Sequence, residues 1–158
     1  MKNLIVYYSK YGAGEKCVEI MKSAISGETT AVNLRDGKAP ELDSFDRIII
    51  GSNIHAGRIN KKVRTLCFNS ADAILEKEFA LFLCCLTPEE EAQDLFEKNF
   101  PPVLAEKAGA RAVLGGALFF EKMNPVERFI LKKIAGSDQN IDKIDPQQIE
   151  RFVSGIEA

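Results

Sequence analysis

Five mostly apolar stretches recur along the chain, and polar or helical sequence separates each from the next. One of them, Arg47–Ser52, contains three consecutive isoleucines. A continuous apolar run of this kind is typical of a strand that is buried on both faces at the centre of a parallel sheet. The predicted strands are residues 3–8, Thr29–Leu34, Arg47–Ser52, Phe79–Cys85 and Ala112–Leu118.

Between these strands, apolar residues return every three or four positions, as they do on one face of a helix. Cys17, Val18, Met21 and Ile25 follow this spacing. Strands that alternate with helices predict a parallel sheet covered on both faces, because parallel neighbours need crossover connections. The predicted helices are residues Gly14–Ile25, Ile59–Ala73, Pro88–Phe96, Val103–Ala108, Pro125–Ala135 and Pro146–Gly155.

Composition limits the class of protein. A length of 158 residues fits one domain spanning residues 1–158. Apolar residues make up 46% and charged residues 28%, as in a globular protein. The formal net charge of -2 gives no indication of a nucleic acid partner.

No apolar run reaches the 18 or so residues that a membrane-spanning helix needs. Only five apolar residues follow Met1-Lys2-Asn3, which is too few for the core of a signal peptide. We therefore expect a cytoplasmic protein.

The four cysteines, Cys17, Cys67, Cys84 and Cys85, and the single histidine, His55, do not have the spacing of zinc ligands. Reduced thiols are expected in a cytoplasmic chain. Cys84 and Cys85 end a predicted strand, where adjacent side chains point to opposite faces. This placement favours ordinary burial over a redox-active pair.

The most informative chemistry lies where the first strand meets the first helix. Residues Ser9–Gly14 form a short loop before a helix N-terminus, where free backbone N–H groups and the helix dipole favour an anion. Gly12 and Gly14 lack the third glycine of a dinucleotide fingerprint, and no Walker motif is present. The loop predicts a mononucleotide phosphate site, with a plain strand-to-helix turn as the alternative. Glu15, in the first helical turn, either competes for the same N–H groups or points away.

The run Ser9–Gly14 resembles the phosphate loop of the flavodoxin family, whose general form is Ser/Thr-x-Thr-Gly-x-Thr. Ser9 and Gly12 match this form, whereas Tyr11 and Gly14 replace threonines. The resemblance implies a doubly wound α/β fold with a five-stranded parallel sheet in the order 2-1-3-4-5. It also implies that the cofactor is FMN, with electrons carried by its isoalloxazine ring.

Ligands in open α/β sheets bind at the carboxyl ends of the strands, so the loops at those ends are the candidate cofactor site. His55 is a proton donor that is easily tuned near neutral pH, with a solvated loop residue as the alternative. Of Phe119 and Phe120, we expect one to be in the core and one to face the ligand. The residues expected to hold the phosphate are Ser9, Lys10, Tyr11, Gly12, Ala13 and Gly14. Those expected to line the flavin ring are Ser52, Asn53, Ile54, His55 and Gly57 on one side, and Leu86, Thr87, Phe119 and Phe120 on the other.

Within this fold, the chain is most similar to the menaquinone-dependent protoporphyrinogen dehydrogenase group. The resemblance covers residues 1–136 and rests on three blocks of sequence. They are residues 1–12, residues 45–57 with Arg47-Ile48-Ile49-Ile50-Gly51-Ser52-Asn53-Ile54, and Gly116-Ala117-Leu118 with the downstream run 128–134. The resemblance implies an oxidoreductase that uses a quinone or another small molecule as its electron acceptor or donor.

The predicted helix Pro125–Ala135 bears on where such a protein acts. A basic amphipathic helix can make a peripheral contact with a membrane. We favour the simpler interpretation, in which the helix packs on the sheet and its basic face is solvated. Its basic residues, counted with Lys122 just before it, are Lys122, Arg128, Lys132 and Lys133, and its apolar residues are Val126, Phe129, Ile130 and Ile134.

The sequence therefore predicts an FMN-binding redox protein. Three functions stay open: an oxidoreductase, an electron-transfer protein that docks to a redox partner, and a flavin-free binding module. Dedicated flavodoxin shuttles tend to be strongly acidic, so a net charge of -2 weakly favours the oxidoreductase. The sequence gives no indication of the oligomeric state.

Overall fold

The computed structural model describes residues 1–137 and 139–158. A five-stranded parallel sheet forms its centre, in the order β2-β1-β3-β4-β5. The predicted class and strand order are therefore confirmed. The strands are β1 (Lys2–Tyr8), β2 (Glu28–Asn33), β3 (Arg47–Asn53), β4 (Glu78–Cys84) and β5 (Ala110–Val113).

Alternate residues of the strands enter two separate cores, one on each face of the sheet. In β3, Ile48 and Ile50 belong to one core and Ile49 to the other, and all three are fully buried. Helices cover both faces, which is the arrangement that a parallel sheet requires. The helices are α1 (Ala13–Ala24), α2 (Lys61–Asn69), α3 (Ala71–Leu75), α4 (Glu89–Ala92), α5 (Asp94–Asn99), α6 (Pro102–Lys107), α7 (Pro125–Ala135) and α8 (Pro146–Glu157).

Two predicted helices are wrong in their extent. The predicted helix Ile59–Ala73 begins later, at Lys61, because the Asn60 side chain caps it by accepting a hydrogen bond from Lys62 N. It then breaks at Ser70, whose φ of -117° and ψ of 19° separate α2 from α3. The predicted helix Pro88–Phe96 is likewise divided, into α4 and α5.

The predicted fifth strand, Ala112–Leu118, is also wrong in its second half. The chain stays beside β4 through Leu114, whose N–H donates to Leu83 O at 2.9 Å. At Gly115, φ is +84°, and a Cβ there would lie 2.2 Å from Lys143 O. The chain therefore changes partner at this point. Residues Ala117–Leu118 form β6, which pairs antiparallel with β7 (Ile141–Asp142).

Helix α7 lies between β6 and β7 and does not pack its apolar side on the sheet, contrary to the interpretation that we favoured. Val126, Phe129, Ile130 and Ile134 are 51–76% exposed. Glu127 instead lies half-buried on the inner side, and its carboxylate pairs with Lys10 Nζ at 3.0 Å.

Gly51 shows how closely the sheet is packed. It is buried in β3, and a Cβ at this position would lie 2.0 Å from Cζ of the fully buried Phe82 ring. We expect Gly51→Ala to lower the free energy of unfolding by about 1–3 kcal/mol, as overpacking of a core does. Urea denaturation measures the change. Gly37→Ala is the matched control, since no heavy atom lies within 4 Å of its Cβ position. Equal unfolding midpoints for the two variants would contradict the prediction.

Candidate functional site

The predicted ligand loops leave one edge of the sheet. Tyr8, the last residue of β1, is paired with Ser52 of β3, and Asn53 of β3 is paired with Cys84 of β4. Residues 9–12, 54–60 and 85–88 thus begin at matching positions on three adjacent strands. This is the edge where open α/β sheets bind ligands.

Ser9 is the fixed point of the first loop. It is buried, and the Asn33 side chain at the end of β2 contacts its backbone on both sides. Ser9 N donates to Asn33 Oδ1 at 3.2 Å, and Asn33 Nδ2 donates to Ser9 O at 2.9 Å. The Ser9 hydroxyl accepts a hydrogen bond from Gly14 N at 3.0 Å, which leaves its own proton available for donation.

The same loop presents backbone donors. Among the described residues, no group accepts a hydrogen bond from the backbone N–H of Tyr11, Gly12, Ala13 or Glu15. Gly12, with a φ of +99°, is the N-cap of α1, and a Cβ at Gly14 would lie 2.5 Å from Ser9 Cβ. Unpaired amides at a helix N-terminus are the ordinary means of binding a phosphate.

Glu15 points away from these donors, which is the second of its two predicted alternatives. One carboxylate oxygen accepts from Asn33 Nδ2 at 3.0 Å, and the other is buried without a hydrogen-bond partner among the described residues. Burial, with a contribution from the Glu15 carboxylate, raises the pKa of Tyr7 to about 12. Tyr7 therefore stays neutral beneath the loop.

The second loop is a tight reverse turn. His55 N donates to Arg58 O at 2.9 Å, and Arg58 N donates to His55 O at 3.0 Å. The two central residues have positive φ values, 51° at Ala56 and +78° at Gly57, as in a type I′ turn. His55 is exposed at this turn.

The interior of the second loop is held by side chains that face inward. The Ser52 hydroxyl accepts from Asn60 N at 3.0 Å and donates to Asn53 O at 2.8 Å, so it is engaged within the loop. Asn99, at the end of α5, accepts from Ile59 N at 3.0 Å and donates to Gly57 O at 3.1 Å. Asn99 was not found by sequence analysis, because nothing in its local sequence indicates a contact 40 residues away.

The third loop is open at its tip. Leu86 is 45% exposed and Thr87 is also exposed. A Cβ at Gly116 would lie 2.7 Å from the carbonyl carbon of Cys85, so the chain after β5 runs against the root of this loop.

The segment after β6 reaches the first loop. Phe120 is buried, as expected of one member of the pair, whereas Phe119 is half-buried and packs against the edge of a core. A Cβ at Gly12 would lie 3.1 Å from Cδ2 of Phe119 and 2.6 Å from Nζ of Lys122. Sequence analysis grouped Lys122 with the basic residues of the predicted helix Pro125–Ala135 and did not connect it with this loop.

The cysteines are packed as structural residues. Cys84 lies against Cys17, with their Sγ atoms 3.7 Å apart, and both are buried. The hydrogen bond with Cys17 and burial hold the pKa of the Cys84 thiol well above its usual range, so it stays protonated. Cys85 faces the opposite core, as the strand geometry predicts.

The structure describes neither a metal centre nor a membrane-spanning helix within residues 1–137 and 139–158. No group of three or more His, Cys, Asp or Glu side chains in these ranges is arranged to hold a metal ion. None of the helices in the same ranges has the length and hydropathy needed to cross a membrane.

Comparison with known proteins identifies the family. A family model described as the flavodoxin domain matches residues 4–144. The chain belongs to the flavodoxin-domain family. FMN is the cofactor of this family, in agreement with the sequence prediction. The first loop fits its phosphate, because it offers free amides and a buried hydroxyl and because Gly12 and Gly14 carry no side chain.

Solved structures agree with the fold. Oxidised flavodoxin 1 from Bacillus cereus has a TM-score of 0.60 at 16% identity, over 99% of this chain and 97% of that one. Two-electron reduced flavodoxin from Megasphaera elsdenii has a TM-score of 0.55 at 20% identity, over 99% of both chains.

A flavo di-iron protein mutant from Thermotoga maritima has a TM-score of 0.54 at 14% identity, over 99% of this chain but 35% of the larger one. At these identities the likeness shows the fold alone. No curated protein matches the sequence with significance. None of these comparisons indicates the protoporphyrinogen dehydrogenase group.

The two hydrogen bonds between the Asn33 side chain and the Ser9 backbone, here called the Asn33 clamp, provide a test of the site. We expect Asn33→Ala to lower the free energy of unfolding by about 1–3 kcal/mol, because it leaves buried groups of Ser9 without partners. FMN binding should weaken as well, since the loop loses its fixed point. Thermal unfolding and FMN fluorescence titration measure the two effects. The control is Asn69→Ala, at an exposed position at the end of α2. An Asn33 variant that matches this control in both measurements would show that the clamp does not support the site.

Proposed function

We propose that this protein is an FMN-dependent electron carrier that binds the cofactor phosphate on residues 9–14 and exchanges electrons with a redox partner. The observation that supports this most strongly is the set of unpaired N–H groups of Tyr11, Gly12, Ala13 and Glu15 at the start of α1. These groups need an acceptor, and a phosphate monoester provides three oxygens. Bound FMN supplies the redox chemistry, and the protein positions it.

The ring of the cofactor would lie between the second loop on one side and Phe119 and Leu86 on the other. Ile54 is half-buried, and its N–H is fixed by donation to Cys84 O at 3.0 Å. His55 stands at the exposed turn, where its imidazole can donate a proton or a hydrogen bond to the ring edge. Phe119 and Leu86 provide apolar surface for the other face, because aromatic faces favour offset stacking.

The test of this function is a titration of the purified protein with FMN. We expect the flavin fluorescence to be quenched and the midpoint of thermal unfolding to rise as FMN saturates the protein. The FMN-loaded protein is then reduced. We expect it to pass its electrons to a redox partner protein or to an artificial acceptor.

Two outcomes would contradict the proposal in different ways. If FMN leaves both fluorescence and unfolding unchanged, the protein is a flavin-free binding module. If FMN binds but the loaded protein neither accepts nor donates electrons, the flavin is not used as an electron carrier.

A second candidate function is quinone-linked oxidoreduction at a membrane surface, and helix α7 favours it. The helix is 11 residues long, and its exposed residues Val126, Phe129, Ile130 and Ile134 form an apolar face. Residues 119–137 carry four cationic and two anionic side chains, although the whole chain has a net charge of -2. An apolar face with basic neighbours is suited to the surface of an anionic bilayer.

This membrane contact can be tested with vesicles. The wild-type protein should sediment with vesicles that contain phosphatidylglycerol and much less with pure phosphatidylcholine. Phe129→Ser combined with Ile134→Ser should weaken binding about tenfold or more, since each loses a large apolar side chain from the face. The control is Phe68→Ser, which removes a similarly exposed phenylalanine from α2. If the wild-type protein does not sediment with anionic vesicles, the proposed membrane contact is wrong, and the proposed function as an electron carrier is unaffected.

The substrate of this second function is tested separately. The FMN-loaded protein is mixed with protoporphyrinogen and a menaquinone analogue, and porphyrin fluorescence is followed. A rate above the uncatalysed background is expected of a quinone-dependent dehydrogenase. A background rate, from protein that still exchanges electrons with an artificial acceptor, would remove the dehydrogenase function and leave electron transfer.

A further inference from the structure

We infer that Lys122 binds the phosphate of FMN and supplies the positive charge that residues 9–14 do not direct at it. This inference rests on the proposed binding of FMN. A Cβ built on Gly12 would lie 2.6 Å from Lys122 Nζ and 3.1 Å from its Cδ. The ammonium group therefore lies directly beside the N-cap of α1, on the side that the glycine leaves open.

The position of this ammonium is electrostatically unusual. The N-terminus of a helix is the positive end of its dipole, where anions are favoured and cations are not. Within the described ranges, no carboxylate lies within 4.0 Å of Lys122 Nζ to offset this. The ammonium group lies over the Phe119 ring, 5.5 Å from its centroid. A phosphate bound between the ammonium and the free amides would satisfy both.

Other cations near the loop already have partners. Lys10 Nζ pairs with Glu127 at 3.0 Å, and Lys16 pairs with Asp142. Arg35 donates to Lys10 O at 2.7 Å and pairs with Asp36 at 3.2 Å. The loop itself has one aliphatic hydroxyl, that of Ser9, which already accepts from Gly14 N. The remaining donors are neutral amides, whereas a phosphate monoester carries nearly two negative charges at neutral pH.

The turn that carries Lys122 is anchored on both sides. Phe120 is buried, and its N–H donates to Asn140 Oδ1 at 2.8 Å. Its carbonyl accepts from Arg128 Nε at 3.1 Å, and the buried Met123 follows directly. The backbone that carries Lys122 is thus held by packed neighbours, although the Lys122 side chain itself is exposed. Its amine comes from a segment more than 100 residues away from the loop in sequence.

The test compares FMN with riboflavin, which lacks the phosphate. We expect Lys122→Met to weaken FMN binding about tenfold or more, as loss of a charge-assisted hydrogen bond does. Riboflavin binding should change less than about twofold. Lys122→Arg should retain most of the FMN affinity, and the FMN affinity of Lys122→Met should depend less steeply on salt than that of the wild type.

The matched control is Lys133→Met, because Lys133 Nζ lies 4.4 Å from the centroid of the Phe129 ring on the outer side of α7. It should leave both affinities unchanged. Equal loss of FMN and riboflavin in the Lys122→Met variant would overturn the inference and give Lys122 a packing role. So would an FMN affinity within twofold of the wild type.

Circular dichroism of each variant checks folding. If Lys122→Met does not fold, Lys122→Gln and the salt dependence of FMN binding by the wild-type protein provide the same comparison. A wild-type affinity for FMN that is independent of salt would then overturn the inference. A wild-type protein that binds neither flavin would instead contradict the proposed function itself.

Discussion

The carboxamide of Asn33 is the contact on which the site depends. It grips the backbone N–H and carbonyl of Ser9 at 3.2 and 2.9 Å and also donates to Glu15 at 3.0 Å. Because Tyr7 is paired with Asn33 in the sheet, the register of β1 and β2 decides where Ser9 lies. The Ser9 hydroxyl in turn accepts a hydrogen bond from Gly14 N in the first turn of α1. The orientation of the free amides is therefore set by the pairing of two strands.

Much of the fold is readable in the sequence because hydrophobic burial leaves a periodic signal. The three isoleucines of β3 indicate a central strand, and the structure places them in two opposite cores. Element ends were less predictable, because they depend on single backbone and capping events. The break at Ser70 and the change of partner at Gly115 both occur within runs whose apolar pattern continues past them. Periodicity reports which residues are buried and does not report what they pair with.

The candidate site divides in the same way. Its backbone donors follow from a strand, a short loop and a helix N-terminus, and these are consecutive in sequence. The side chains that complete it come from elsewhere: Asn33 from β2, Asn99 from α5 and Lys122 from the segment after β6. Contacts over such separations follow from tertiary packing and have no local pattern. The exposed face of α7 was the less favoured of two interpretations, because an amphipathic pattern fits a packed helix equally well and carries no information on its neighbour.

The pairing of β6 with β7 closes the base of the excursion that carries α7. Lys143 N donates to Gly116 O at 2.8 Å, and Gly115 has no room for a side chain against the Lys143 carbonyl. Because β6 and β7 pair with each other, the segment between them begins and ends at the same place. Changes in the length or sequence of that segment would therefore leave the pairing of β4 with β5 unaltered. A lineage that needed a new docking face could thus remodel the exposed side of α7 while keeping Phe119 and Lys122, which lie beside Gly12 at the start of the excursion.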